Sequence, residues 1–245
     1  MGYMPTYRVC NPAPWQWTPW LLGPSLLAWW SADHTNLITM PGGLVSSWKD
    51  AVAGYEAVQA VGAAQPVWQA GGFGWRAVVA FDGVDDELTY ASMVGLPTGA
   101  TPCEEWYAVD QQQDASFTSA VVLGSSGGSS SGNRRALIRS VVSGTNRAGA
   151  NDGSNSVTQG SADFSGRHVV RSIADGSTLT VEVDGVAATP IASVPSIGTV
   201  RARFAASHTT TPSSYAKAAI ADRLFTAPLS ATQANLLRAY LTKGL

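Results

Sequence analysis

The chain has 245 residues, of which 45% are hydrophobic and 13% are charged, and its formal net charge is −2. This length and apolar content are typical of one large folded domain and exclude an intrinsically disordered protein. Nucleic-acid binding requires a strongly basic field, so we expect no nucleic-acid partner.

Residues 1–25 differ from the rest of the chain because proline and tryptophan are concentrated there. Proline fixes φ and removes a backbone donor, so we expect an extended arm outside the sheets. Trp15, Trp17 and Trp20 would be costly to leave in water. They either pack back on the chain's own domain or dock onto a neighbouring subunit or partner, and the composition leaves both interpretations open.

Neither a secretion signal nor a membrane span is expected. The chain does not open with a basic end followed by an apolar core. Its longest apolar run, residues 20–30, is interrupted at 23–25 and is too short to cross a bilayer. We therefore expect synthesis in a cytoplasm without membrane insertion. Cys10 and Cys103 lack the spacing of a metal site, and we expect both to be thiols.

From residue 26 onward, short strand-like runs alternate with glycine-rich and Asp-Gly turns. The predicted strands are 45–48, 57–61, 77–81, 88–90, 104–109, 120–123, 136–142, 147–150, 169–173, 179–183, 200–206 and 216–225. Gly71 and Gly72 are expected to bound a strand. The run 179–183 alternates apolar and polar side chains, which predicts a strand buried on one face.

One helix is predicted at the C-terminus. Ser230 and Gln233 have the spacing of a capping box, in which each residue satisfies a backbone N–H of the other. Apolar residues follow at helical spacing: Leu236, Leu237, Tyr240 and Leu241.

The order of these segments resembles that of concanavalin A-like, or laminin-G-like, jelly-roll domains. The resemblance is carried by LAWWSAD at 27–33, VSSWKD at 45–50, QPVW at 65–68, AVVAFDGVDD at 77–86 and the hairpin ending in Asp-Gly at 184–185. It covers residues 26–245. It implies an all-β, two-sheet antiparallel jelly-roll sandwich with a short C-terminal helix, preceded by the arm at 1–25.

Chains of this style also resemble virion proteins of tailed bacteriophages. That resemblance implies a non-enzymatic structural protein of the virion: a tail fibre, spike or capsid-decoration subunit. Residues 1–25 would anchor it to other virion proteins, in a homo-oligomer or larger assembly, and the jelly roll would face host-surface polysaccharide for host attachment. A free carbohydrate-binding module is the alternative function, and a glycan hydrolase is the third.

Glycoside hydrolysis requires two carboxyl groups about 5–10 Å apart. Glu182 and Asp184 begin the Glu-x-Asp-x-x-Glu pattern of glucanases with this fold, but no third carboxylate follows. Glu104 and Glu105 are adjacent in a strand, so they should point to opposite faces. The sequence therefore predicts no catalytic residue and no enzymatic activity.

A turn that follows the strand 77–81 carries several carboxylates, among them Asp82, Asp85 and Asp86. Because Ca²⁺ prefers six to eight oxygen ligands, this turn is the candidate metal site. The same residues also resemble a structural turn of the concanavalin A-like domains, and that turn needs no ion. Calcium at this turn is the one cofactor that the sequence indicates, and no other is expected.

Sugar sites combine aromatic faces with polar side chains presented on loops. Trp75 follows Gly74, and Trp106 follows an acidic pair, so both are candidate ligand contacts. His208 lies in a segment rich in serine and threonine and is either a sugar contact or a solvated loop histidine.

Overall fold

The computed structural model of the chain describes residues 17–90, 95–112, 121–127, 134–142, 145–151, 156–158, 164–193, 201–206 and 215–243. Three residues named above lie outside this range: Cys10, Trp15 and His208.

Eighteen strands are described, and most are short. The first nine are β1 (Leu26–Ser31), β2 (Ile38–Thr39), β3 (Ser47–Lys49), β4 (Glu56–Val58), β5 (Val67–Phe73), β6 (Arg76–Asp82), β7 (Leu88–Tyr90), β8 (Cys103–Gln111) and β9 (Val121–Gly127). The others are β10 (Arg134–Val142), β11 (Thr145–Asn151), β12 (Ser156–Thr158), β13 (Gly166–Ala174), β14 (Thr178–Val183), β15 (Val186–Ala187), β16 (Ile191–Ala192), β17 (Arg201–Phe204) and β18 (Lys217–Thr226). Helical segments are the 3₁₀ turns Pro19–Ser25, Thr35–Leu37, Pro41–Gly43 and Gly62–Ala64, and helix α1 (Ala231–Leu241).

The strands form two antiparallel sheets. Sheet A has the order β15-β14-β13-β8-β18-β6-β5, and β1 and β16 pair with β18 and β14. Sheet B has the order β12-β11-β10-β9-β17-β7-β4-β3-β2. The predicted all-β, two-sheet antiparallel sandwich with a short C-terminal helix is confirmed. Within the described part of the chain, no helix has the length and apolar character needed to cross a membrane.

The main core lies between the two sheets and is rich in aromatic rings. Trp30 of β1 and Trp48 of β3 are fully buried. Phe204 of β17 packs against both, with ring centroids 5.6 and 5.0 Å away. Trp30 also stacks on Tyr90 of β7 at 5.2 Å. Large aromatic side chains bury the most apolar area, so this cluster holds sheet A against sheet B.

Helix α1 covers the outer face of sheet A. Its Leu237 and Leu241 are buried in a second cluster together with Trp29 and Trp106. This cover corrects the expectation of a half-buried strand at 179–183. The outward-facing Glu182 of β14 is only 7% exposed, because Arg238 of α1 lies over it and donates to its carboxylate.

The C-terminal part of the predicted arm packs on the sandwich. Pro19–Ser25 is a 3₁₀ segment rather than an extended one. Its Leu22 is buried in the same cluster as α1, and the Trp17 ring lies 6.2 Å from the Tyr240 ring of that helix. The prediction of an extended arm is therefore wrong for residues 19–25, since burial of these apolar groups favours a compact turn.

A buried ion pair lies on the inner face of sheet A. Arg223 of β18 and Glu105 of β8 are both fully buried, and Nη2 lies 2.7 Å from Oε1. The Tyr107 hydroxyl donates to the same carboxylate oxygen, and Arg223 donates to the Arg203 carbonyl. Glu104 points instead to the outer face, where it pairs with Arg171 at 2.6 Å. The two adjacent glutamates thus occupy opposite faces.

Candidate functional site

A polar cleft opens at one end of sheet A, where β6 and β8 end and β18 begins. Its volume is about 200 Å³. The lining consists of apolar Val67, Ala80 and Phe81 together with polar Gln69, Asp82, Asp86, Gln112 and Lys217. We call this surface the polar cleft.

The wall of the polar cleft is built by a tight turn after β6. One oxygen of Asp82 accepts hydrogen bonds from the N–H groups of Val84, Asp85 and Asp86 at 2.7, 3.4 and 3.5 Å. Such a side-chain cap is the usual way for aspartate to start a turn. The Asp-Gly step that signals this turn in the sequence therefore has a local cause.

Gly83 lets this turn lie directly against β18. Its φ is +81°, a conformation that residues with a side chain rarely adopt. A Cβ at this position would lie 2.8 Å from Cβ of Lys217. Only glycine therefore allows the carboxylates of the turn and Lys217 to share one cleft.

Asp86 is the most perturbed carboxyl group of the polar cleft. Its residue is 5% exposed, and Oδ2 accepts a hydrogen bond from the Asp82 N–H at 2.9 Å. Burial raises the pKa of Asp86 to about 6; the charges of Asp82 and Asp85 act in the same direction and the backbone hydrogen bond opposes them. The cleft thus contains a carboxyl group that can exchange a proton near pH 6.

The three aspartates of the predicted metal site do converge. Asp82, Asp85 and Asp86 each place one carboxylate oxygen within 4.8 Å of the others. Oxygen ligands lie about 2.3–2.6 Å from Ca²⁺, so two of them are separated by at most about 5 Å. The donor atoms are oxygens and the spacing is suitable, so these residues fit a calcium ion.

Trp75 and Trp106, the described members of the predicted sugar contacts, have opposite environments. Trp75 is 70% exposed at the tip of the β5–β6 hairpin. Trp106 is 0% exposed, and its indole N–H donates to Glu104 at 3.0 Å. The prediction of Trp106 as a ligand contact is therefore wrong: α1 covers the outer face of β8, a long-range contact with no local sequence signal.

A larger cleft of about 360 Å³ lies at the opposite end of β8. The described residues that line it are Leu27, Gly95, Leu96, Pro97, Thr98, Thr101, Pro102 and Ala227. Among these, no side chain is ionisable and the polar side-chain groups are two threonine hydroxyls, so the described lining offers much less for recognising a polar ligand than the polar cleft does.

Sequence reasoning identified the carboxylates of the polar cleft and missed its other polar groups. Gln69, Gln112 and Lys217 come from three separate segments and meet only because β5 and β18 both pair with β6, and β8 with β18. No spacing in the sequence indicates such a meeting.

The sequence matches no model of a protein family and no curated protein. Solved structures do share the fold. Trypanosoma rangeli sialidase aligns with a TM-score of 0.58 at 12% identity, over 89% of this chain and 33% of that one. An arabinofuranosidase complexed with arabinofuranosyl-α-1,2-xylobiose aligns with a TM-score of 0.60 at 11% identity, over 82% and 51%. Domain 4 of AbnA, a GH43 extracellular arabinanase from Geobacillus stearothermophilus in complex with arabinotriose, aligns with a TM-score of 0.56 at 12% identity, over 89% and 97%.

The chain thus spans about a third of the sialidase and about half of the arabinofuranosidase. At these identities the likeness is one of fold, and the three structures named here come from carbohydrate-active proteins. The prediction that the chain is not an enzyme is corrected here. The same sandwich occurs within glycoside hydrolases, so the fold gives no ground for excluding enzymatic activity.

Proposed function

We propose that the chain is a carbohydrate-binding domain that holds a glycan in the polar cleft. The observation that carries this proposal is the convergence of two carboxyl groups, two amides and one ammonium group over an apolar floor. Ligand sites typically combine an apolar surface with a few such convergent polar groups.

The groups of the polar cleft match the hydroxyls of a sugar. Carboxylates accept hydrogen bonds, the Lys217 ammonium donates them, and the amides of Gln69 and Gln112 do both. A volume of about 200 Å³ is smaller than the sites that enclose drug-sized ligands. The cleft is therefore suited to one sugar residue of a longer glycan.

Affinity gel electrophoresis in soluble arabinan or xylan tests this proposal. Both polysaccharides are neutral and correspond to the sugars of the arabinose- and xylose-containing complexes that share the fold. The wild-type chain should be retarded, and the double variant Gln69→Ala/Gln112→Ala should migrate as in a gel without polysaccharide. Val186→Ala, on exposed β15, is the matched control. Equal retardation of the double variant contradicts the proposal.

Glycoside hydrolysis is a second candidate, favoured by the raised pKa of Asp86 beside Asp82. Asp86 would donate its proton to the leaving oxygen, and Asp82 would attack the anomeric carbon; water then releases the sugar and restores both groups. Their closest carboxylate oxygens lie within 4.8 Å, close to the about 5–5.5 Å between carboxyl groups of retaining enzymes. The wild-type chain should release reducing ends from a glycan, and more slowly above pH 6. Asp86→Asn should abolish this release. If the wild-type chain releases no reducing ends, this candidate function is contradicted.

Calcium binding at Asp82, Asp85 and Asp86 is also proposed from their converging oxygens. Calcium should raise the melting temperature of the wild-type chain, because an ion that binds only the folded state stabilises it. EDTA should reverse this shift and Asp85→Asn should reduce it. A melting temperature that does not respond to calcium contradicts the site.

We propose from the sequence resemblance that the chain is a subunit of a bacteriophage virion. Attachment would run through residues 1–25, and the sandwich would face host-surface glycans. Because Trp17 and Leu22 pack against α1 and its cluster, the deletion that tests attachment should end at residue 16. The shortened chain should stay folded but should not enter particles; its incorporation at wild-type levels contradicts the proposal.

A further inference from the structure

Two exposed tryptophans border a group of charged and polar side chains at the other end of β6. Trp75 is 70% exposed, and Trp20 is 50% exposed. Ring contacts, one ion pair and neighbouring positions in the chain relate them. Trp20 packs on Trp29 at 5.6 Å, and Trp29 packs on His34 at 4.6 Å. Asp33 then pairs at 2.9 Å with the Arg76 side chain, whose residue follows Trp75.

The hairpin that carries Trp75 is fixed at its base. Arg76 is buried and pairs with Asp33 and with Asp222, at 2.9 and 2.5 Å. The Ala77 N–H donates to the second oxygen of Asp33 at 2.8 Å. These contacts fix the backbone on which Trp75 is placed and leave its indole ring open to a ligand.

Two buried polar atoms of His34 and Arg76 lack a partner within the described part of the chain. Nδ1 of His34 and Nη2 of Arg76 have no hydrogen-bond partner among the described residues, and Arg76 is 1% exposed. A buried polar atom without a partner costs free energy, so an added hydrogen bond would be favourable. The hydroxyl of a ligand can supply it directly or through an ordered water.

The charges of this group disfavour an anionic ligand. Asp33 and Asp222 carry two negative charges against the single positive charge of Arg76. Burial lowers the pKa of His34, opposed by the charges of Asp222 and Asp33, so its ring is neutral at pH 7. An aromatic platform beside hydrogen-bonding groups without excess positive charge is suited to a neutral sugar, whose C–H face stacks on indole.

We propose that Trp20, Asp33, His34 and Trp75 form a second carbohydrate-binding surface, which binds neutral glycans. We call it the Trp75 surface. Arg76 and Asp82 are the two ends of β6, six residues apart, so the Trp75 surface and the polar cleft are separated by about 20 Å. This inference deepens the proposed function by adding a second site and a ligand charge class, and the two sites can be tested separately.

The test measures dissociation constants of the full chain for soluble arabinan, xylan and the anionic polygalacturonate. Trp75→Ala should weaken binding to a neutral polysaccharide by at least about tenfold, as expected for an aromatic anchor, and Trp75→Phe should retain part of the affinity. Val186→Ala again serves as the control. Trp75 is exposed at a hairpin tip, so both substitutions leave the fold intact.

The outcomes distinguish the two sites. The Trp75 surface is supported if Trp75→Ala weakens binding to a neutral polysaccharide, whether or not the Gln69→Ala/Gln112→Ala variant also loses binding. Loss only in the double variant overturns the Trp75 surface and leaves the polar cleft standing. Tighter binding of polygalacturonate, or no binding of either neutral polysaccharide, overturns it as well. A dimer of the wild-type chain that Trp75→Ala dissociates, with unchanged glycan affinity, assigns the surface to protein contacts and also overturns the inference.

Discussion

Asp86 combines burial with proximity to other carboxylates, and this environment sets its chemistry. The neighbouring Asp82 keeps one oxygen engaged with three backbone N–H groups. Asp86 receives a hydrogen bond only from the Asp82 N–H in the described contacts and is almost completely buried. Burial therefore raises the pKa of Asp86 to about 6, so this carboxyl group can keep its proton at a pH where an ordinary aspartate has lost it.

Asp86 is expected to lower the stability of the ion-free chain at neutral pH. Its folded pKa of about 6 lies above its ordinary value. Folding therefore favours the protonated form, and this contribution to stability is lost as the pH rises through 6. Asp86→Asn should raise the free energy of unfolding at pH 7.5 in EDTA by about 1–2 kcal/mol, and by less at pH 4.5. Urea denaturation at both pH values measures this change in the free energy of unfolding. An equal change at both pH values contradicts a raised pKa for Asp86.

Asp184 should raise the stability of the chain at neutral pH, whereas Asp86 lowers it. Burial alone would raise its pKa, but hydrogen bonds from His168 and the Val169 N–H, with the charges of His168 and Arg238, lower the pKa below its ordinary value. Its contribution to stability is therefore present above the unfolded pKa and lost as the pH falls through the folded one.

The variant Asp184→Asn isolates this contribution. Asparagine tolerates the positive φ of +49° at this position. The variant should melt at a lower temperature than the wild-type chain at pH 6, and the two melting temperatures should converge below about pH 4. Thermal melts between pH 2.5 and 6 provide the measurement. A difference that is constant over this range would show that the hydrogen bonds to His168 and Val169 do not depend on the carboxylate charge.

The turn after β6 is the element that builds the polar cleft, and Gly83 is its most constrained residue. Gly83→Ala places a Cβ 2.8 Å from Lys217 at a φ of +81°, and should destabilise the chain by about 2 kcal/mol or more. Gly42→Ala is the matched control, because Gly42 has a φ of +65° and nothing within 4 Å of the added Cβ. Chemical denaturation of both variants should show the larger loss for Gly83→Ala; equal losses contradict a role for the contact with Lys217.

Elements with local signals were predicted well. The strand at 88–90 coincides with β7, and 77–81 lies within β6. The capping box of Ser230 and Gln233 forms as predicted, since it depends only on residues three positions apart. Turn residues and capping residues act within a few positions of the chain, and this is why sequence patterns report them.

Elements that depend on distant contacts were not predicted. Gly71 and Gly72 were expected to bound a strand, but both lie inside β5, an edge strand whose register with β6 is interrupted between Gln69 and Phe73. The sequence predicts Trp106 at a ligand site because the cover supplied by α1 is not visible in the sequence. The aspartate turn of the polar cleft was found, whereas its amides and Lys217 depend on strand pairing across the sheet.

At the scale of the whole molecule, the buried Arg223–Glu105 pair tests how the sandwich is held together. Both side chains are fully buried on the inner face of sheet A. Arg223→Met leaves Glu105 buried without its counter-charge and should lower the free energy of unfolding by about 3–5 kcal/mol. Arg223→Met/Glu105→Leu removes both charges and should recover part of that loss. Denaturation of the single and double variants gives the coupling energy; additive effects would contradict a direct interaction.

The whole molecule is a sandwich whose outer face on sheet A is closed by α1 and the 3₁₀ segment Pro19–Ser25. Beside this cover, both ends of β6 stay open to solvent: the polar cleft at Asp82 and the Trp75 surface beside Arg76. A rigid sheet that presents polar and aromatic side chains at its ends is a general arrangement for ligand binding.

Binding of a neutral glycan in the polar cleft can be measured by isothermal titration calorimetry of the full chain with soluble arabinan and xylan. The Gln69→Ala/Gln112→Ala variant is measured alongside. We expect saturable heat for at least one polysaccharide with the wild-type chain, and at least about tenfold weaker binding for the variant. Identical affinities, or no heat from either polysaccharide with the wild-type chain, would contradict it.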